Sequence, residues 1–291
     1  MLYSQSIVRG ALFILASEFL LASSGALIKW LAVDVPNEMI VFFRNLFGLL
    51  ALLPLLALNR RLSMRTTVLP LHLLRGLTGL AAMYCFYYAI GHIKLADAML
   101  LKLTTPILIP VIAWFWLRER LTPRATAALF VGFAGVVFIL KPGGDFNWVV
   151  LIAIAGSGFA AVAKVTIRRL SRTEPAVRTV FYFAAIGAIG SALPLVWVWH
   201  TPNATQWLWL ILLGPLTSAA QWCMTRGYAA APASQVGIFT YSAVLFGAAY
   251  GWWFWGELWD AISIFGASLV AIAGAMALRS QPRKATADSG L

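Results

Sequence analysis

Between residues 10 and 278 the chain returns repeatedly to apolar stretches of about 20 residues, the length an α-helix needs to cross the hydrocarbon core of a bilayer. Ten such stretches can be marked, at roughly 10–33, 37–58, 67–91, 94–117, 124–140, 148–168, 176–199, 207–231, 233–255 and 259–278. Backbone inside lipid must satisfy its own hydrogen bonds, so the expected fold is an all-α integral membrane protein with ten transmembrane helices. The connections are short, and 61% of the 291 residues are hydrophobic. No room remains for a soluble domain of any size. The run Ala22-Ser23-Ser24-Gly25 resembles a signal-peptide cleavage region, but Glu18 interrupts the apolar core such a peptide needs, and the first stretch reads as an uncleaved helix.

A formal charge of +12 raises the question of nucleic acid, and the position of the 22 Lys and Arg residues answers it. With the amino terminus placed in the cytoplasm, the inner connections hold Arg9, Arg60, Arg61, Arg65, Arg118, Arg120, Arg124, Arg168, Arg169, Arg172, Arg178, Arg279, Arg283 and Lys284. The outer ones hold only Lys94 and Lys141. The positive-inside rule then places both termini in the cytoplasm, and the charge is a topology signal rather than a nucleic-acid surface. Residues 279–291 read as a disordered cytoplasmic tail.

The block from Lys94 to Pro123 ends its span in Trp114-Phe115-Trp116 and Glu119, and the chain later reads Trp253-Phe254-Trp255-Gly256-Glu257, with Glu257 138 residues after Glu119. At the same offset Tyr84-Cys85 answers to Trp222-Cys223 and Asp97 to Gln235, while Pro36 and Pro54 frame the second span much as Pro175 and Pro194 frame the seventh. The chain therefore divides into five-helix units at 10–140 and 148–278. Five crossings is an odd number, so a second copy enters the membrane upside down, as in the inverted repeats of secondary transporters.

Arg44, Arg75 and Lys102 each lie about 10–12 Å inside a span at 1.5 Å per residue. A cation at a helix centre costs about 2.5–3.5 kcal/mol to insert, and leucine would avoid that cost. These three are substrate-binding candidates; the alternative is structural pairing with Asp97, Glu18 or backbone carbonyls. Glu18 and Lys29 return to one helix face after three turns, and Glu18, Asp97 and Lys29 are candidates for ion pairing or proton coupling. Lys29, Lys164 and Arg226 are expected to snorkel towards the membrane surface. Gly214, Ser218, Gln221, Thr225 and Tyr228 form one polar stripe on the eighth span, which must face protein or water. Tyr84, Tyr88, Gln221, Trp222 and Tyr241 are expected to shape the pocket. Pro106 and Pro110 in the fourth span and Pro215 in the eighth are candidate bends for a gate, with no proline in the ninth.

Enzyme signatures are missing from the sequence: no HExxH, GxSxG or Walker motif, and His72, His92 and His200 are scattered. Cys85 and Cys223 form no CxxC pair. No catalytic residue, cofactor or metal site is expected.

Arg44, the Leu-Arg75-Gly opening of the third span, the block IKLADAMLLKLTTPILIPVIAWFWLRERLT and its partner ending in WFWGE resemble the EamA-type transporters of the drug/metabolite transporter superfamily over roughly residues 10–278. That resemblance implies a ten-helix carrier working by alternating access, most often a bacterial inner-membrane exporter of metabolites. It also implies a central cavity between the first, third, fourth, sixth, eighth and ninth spans. Because buried cations outnumber buried anions, the expected substrate carries a carboxylate: an amino acid, an organic acid or an amino-polycarboxylate such as an opine-type metallophore. Export of aromatic or cationic drug-like compounds is the alternative, with a channel or a non-transporting sensor further off. Proton coupling, direction and oligomeric state stay open.

Overall fold

The computed structural model describes residues 6–58, 63–92, 101, 104–118, 123–140, 148–256 and 261–278. Every secondary-structure element among them is helical. The long helices are α1 (Ile7–Leu31), α2 (Asn37–Leu58), α3 (Leu69–His92), α4 (Thr105–Leu117), α5 (Pro123–Leu140), α6 (Trp148–Leu170), α7 (Ala176–Ala192), α8 (Ala204–Ala230), α9 (Ser242–Trp255) and α10 (Ala261–Leu278). Four segments, Ile7–Leu31, Asn37–Pro54, Leu151–Leu170 and Ala204–Ala230, are each long and apolar enough to cross a membrane.

Local chemistry sets several boundaries. Ser6 caps α1 by accepting from the Arg9 amide, and Asn203 and Gln206 form a reciprocal capping box at the start of α8. Pro36 and Pro175 stand just before α2 and α7, where the proline removes no helical hydrogen bond. The prolines that follow behave differently. Pro54 lies inside α2, whereas α7 stops two residues before Pro194.

Two expectations about bends change. Pro106 occupies the first turn of α4, where its missing N–H is no loss, so it opens this helix instead of kinking it. The ninth span, which has no proline, is nonetheless broken: Ala233–Val236 is a short helix, Gly237–Tyr241 a 3-10 turn, and only Ser242–Trp255 a regular helix. The backbone passes close to α4 there, since a Cβ on Gly237 would stand 3.2 Å from Ile109.

Polarity is arranged inside out. Large apolar side chains such as Leu12, Phe115, Phe130, Ile189, Trp197 and Trp253 face outwards, while Ser17, Glu18, Arg44, Asn45, Arg75, Ser218 and Gln221 are buried. Several buried hydroxyls return to their own helices, as Thr217 donates to the Leu213 carbonyl and Thr225 to that of Gln221, while Ser17 donates across to the Ala220 carbonyl of α8.

The packing pairs have a regular pattern. α1 lies on α8 as α6 lies on α3, α1 on α9 as α6 on α4, and α2 on α8 as α7 on α3; α2 also packs on α7, and α5 on α10. Exchanging the first five long helices for the last five, in order, carries this set of pairs into itself.

Glycines permit a close crossing of α2 and α8. A Cβ on Gly48 of α2 would fall 2.5 Å from Ser218 Oγ of α8, and one on Gly214 would fall on Phe47 and the backbone of Gly48. Backbone cannot step aside, so Gly214→Ala should push α2 from α8 and lower stability by about 1–3 kcal/mol. Thermal unfolding in detergent reads the change, and an unaltered midpoint would contradict this account of the crossing.

Candidate functional site

Four helices direct polar or aromatic side chains to one region. Arg44 and Asn45 come from α2, Arg75 from α3, Phe183 from α7, and Thr217, Ser218 and Gln221 from α8. Arg75 is 4% exposed; its Nη2 donates to Gln221 Oε1 at 2.6 Å, and its guanidinium carbon lies 3.7 Å from the centre of the Phe183 ring. Gly79 makes space for it, because a Cβ there would stand 2.8 Å from Arg75 Nη1 and from the Phe183 ring. Arg44 is 7% exposed and directs Nη1 at Met83 Sδ, a weak acceptor.

Neither Nε–H has a hydrogen-bond partner, and among the described residues no carboxylate lies within 4.0 Å of either guanidinium. Guanidiniums remain charged at any physiological pH, and out of water they need a counter-charge. Here the surroundings are an amide, a thioether and an aromatic face. Asn45 leaves the charge uncompensated too, donating its amide to the Val41 carbonyl at 2.8 Å. Arg44, Asn45, Phe183, Thr217, Ser218 and Gln221 share the lining of a cavity of about 10 Å³, room for about one water molecule. Such a site can hold a carboxylate in forked hydrogen bonds, once the helices part enough to admit its bearer.

Two further ionic clusters are buried elsewhere. Glu18 Oε1 of α1 lies 4.0 Å from Lys164 Nζ of α6, which donates to Thr240 Oγ1 at 3.4 Å. This corrects one expectation, since Lys164 turns inwards instead of snorkelling to the membrane surface; Lys29 is exposed. The second cluster had no forerunner in the sequence reading. Glu174, in the turn between α6 and α7, accepts from Thr66 Oγ1 at 2.7 Å and from Arg178 Nη1, with His72 Nε2 at 4.0 Å. Arg168, counted above among loop cations, is buried and donates to the carbonyls of Tyr228 and Ala229, closing the C-terminal end of α8.

The sequence model of the EamA-like transporter family matches residues 8–141 and again residues 147–279. This chain belongs to the EamA-like transporter family. Among its relatives, a pseudopaline exporter of Pseudomonas aeruginosa is 32% identical over 91% of this chain and 94% of that protein. A riboflavin transporter of Vibrio cholerae is 25% identical over 98% and 97%, and an S-adenosylmethionine uptake transporter of Rickettsia bellii 23% identical over 83% and 84%. A solved crystal structure superposes with a TM-score of 0.79 at 22% identity, covering 94% of this chain and 97% of the other, which establishes a shared fold. The protein is a multi-pass membrane protein related to transporters of small molecules.

Other sequence-derived candidates of this EamA-like transporter are spread more widely. Tyr84 is half-buried with its hydroxyl unpartnered. Tyr88 meets Trp148 at 5.7 Å where α3 packs on α6, and Trp222 turns to Phe13 of α1 with Arg226 over both rings. Tyr241 stands apart from the arginines, donating to the Leu129 carbonyl and filling the space left by Gly132 on α5. Pro110 and Pro215 lie within α4 and α8. Lys102 and Asp97 fall outside the described residues. Asn45, Phe183 and Thr217 were not singled out, because nothing in their own segments marks them.

Proposed function

We propose that this protein is a secondary transporter that exports a small carboxylate-bearing metabolite across the cytoplasmic membrane by alternating access. In this reading ten crossings form two inverted five-helix units, residues 10–140 and 148–278, with both termini in the cytoplasm. The exchange pattern of the helix pairs and the double match to one family model support it.

The observation that carries the substrate class is the pair of buried guanidiniums, Arg44 and Arg75, set around Gln221 with no described carboxylate beside them. A substrate carboxylate supplies the missing charge. Pockets for metabolite-sized ligands run to about 300–1,000 Å³, far more than the present cavity, so α2, α3, α7 and α8 must separate to load it. The close approach at Gly48 and Gly214 lets α2 and α8 meet again around an empty site. Amino acids, organic acids and amino-polycarboxylates fit, and the pseudopaline named for the Pseudomonas relative is the first compound to try.

Counterflow in proteoliposomes tests this. Saturable exchange is expected for carboxylates and is lost for the matching amides or methyl esters. Equal exchange of amides, or exchange of quaternary cations alone, would replace it with the drug-export reading, and non-saturating flux would make the protein a channel.

A further inference from the structure

We propose that His72 is a proton-binding site that controls the docking of residues 63–66, just ahead of α3, onto α7. Its part in transport rests on the carrier reading above; the docking itself does not.

His72 is 0% exposed, and its ring stacks on Tyr182 of α7 with centroids 4.4 Å apart. Neither ring nitrogen has a hydrogen-bond partner. Phenylalanine would serve that stacking equally well without leaving a donor and an acceptor unmet in the interior, so packing does not explain a histidine here. The residues around it hold one segment of chain. Arg178 donates through Nε and Nη2 to the Ser63 carbonyl, Tyr182 donates to the Met64 carbonyl at 2.9 Å, and Thr66 donates to Glu174. Ser63 to Thr66 is thus fastened by Glu174, Arg178 and Tyr182, the three side chains that also face His72.

A proton on His72 makes both nitrogens donors. Nε2 then faces Glu174 Oε2 at 4.0 Å, the oxygen already engaged by Arg178. Among the described residues, the charged groups around the ring are Glu174 from the α6–α7 turn, Arg178 from α7 and Arg75 one turn along α3, while Arg65 is exposed. The ring therefore has one described carboxylate and two guanidiniums around it, and only Arg178 is paired with that carboxylate. An imidazolium competes with Arg178 for Glu174 Oε2, and an Arg178 that is displaced from it lets go of Ser63. Protonation undocks residues 63–66, and loss of the proton docks them. Because His72 and Arg75 share a face of α3, the same helix carries the proton site and the guanidinium at the candidate substrate site.

Hydrogen exchange of the full-length protein in detergent tests this at pH 5.5 and 7.5, with labelling times scaled for the intrinsic rate. Protection of residues 63–72 and 174–182 should fall on acidification by about tenfold or more in the wild type. His72→Phe should keep the protection at both values, with His72→Gln as its substitute if it accumulates poorly. Glu174→Gln should lose protection at both. A wild type without a pH response, or a His72→Phe response equal to the wild type's, overturns the proposal. Arg75→Met should keep the response even where transport is gone, which separates failure of the proton site from failure of the substrate site.

Discussion

Arg75→Met should abolish transport while leaving thermal stability unchanged or raised. The side chain is buried beside Gln221 and Phe183, and among the described residues no carboxylate would be stranded by its removal. Replacing uncompensated buried charge by a hydrophobic side chain of similar volume is commonly neutral or stabilising, by about 1–4 kcal/mol. The lost bond to Gln221 works in the other direction, at about 1–3 kcal/mol. Function has no such compensation. Truncating one partner of a buried charged pair costs about 2–5 kcal/mol, equivalent to about 30-fold to several thousand-fold in substrate affinity. Arg75→Lys should recover only a small part, because an ammonium keeps the charge but loses the fork and the stacking on Phe183. Counterflow rates and unfolding midpoints on the same preparations check both halves. A variant that loses several degrees together with its transport would show that Arg75 is a structural brace.

The arginines were legible in the sequence because of their depth. A cation seven or eight residues inside an apolar run needs a reason to be there, and Arg44, Arg75 and the polar stripe through Ser218 and Gln221 do share one site. Phe183 and Asn45 carry no such mark. A phenylalanine in an apolar helix is ordinary until a guanidinium is found over its ring. Helix arithmetic set Glu18 on the face of Lys29, but periodicity within one helix is blind to α6, which supplies Lys164. The break in the ninth span escaped for a similar reason: proline is a local signal, whereas the contact of Gly237 with Ile109 belongs to the tertiary structure. His72 and Glu174 are separated by a hundred residues, and their meeting follows from the packing of α7 on α3.

Glu18→Gln should lower stability by about 3–5 kcal/mol, since it takes a buried carboxylate away from the part-buried Lys164 ammonium. Lys164→Met should also lower stability, by removing a cation that faces the buried Glu18. The double variant removes both charges and should recover most of the loss, giving a coupling energy well beyond the few tenths expected of independent sites. Unfolding midpoints of the four proteins measure it, and strictly additive losses would mean that Glu18 and Lys164 do not act as a pair. The cycle also bears on coupling. A carboxylate that carries the driving proton must exchange it during each cycle, so a double variant that transports with the wild-type pH dependence assigns Glu18 to the framework. The electrostatics favour that outcome. Glu18 and Lys164 face each other across the first helix of one half and the first helix of the other, while Arg44 and Arg75 have no described carboxylate beside them. A neutralised pair at one place and two open guanidiniums at another leave the interior attractive to an anion where α2, α3, α7 and α8 converge.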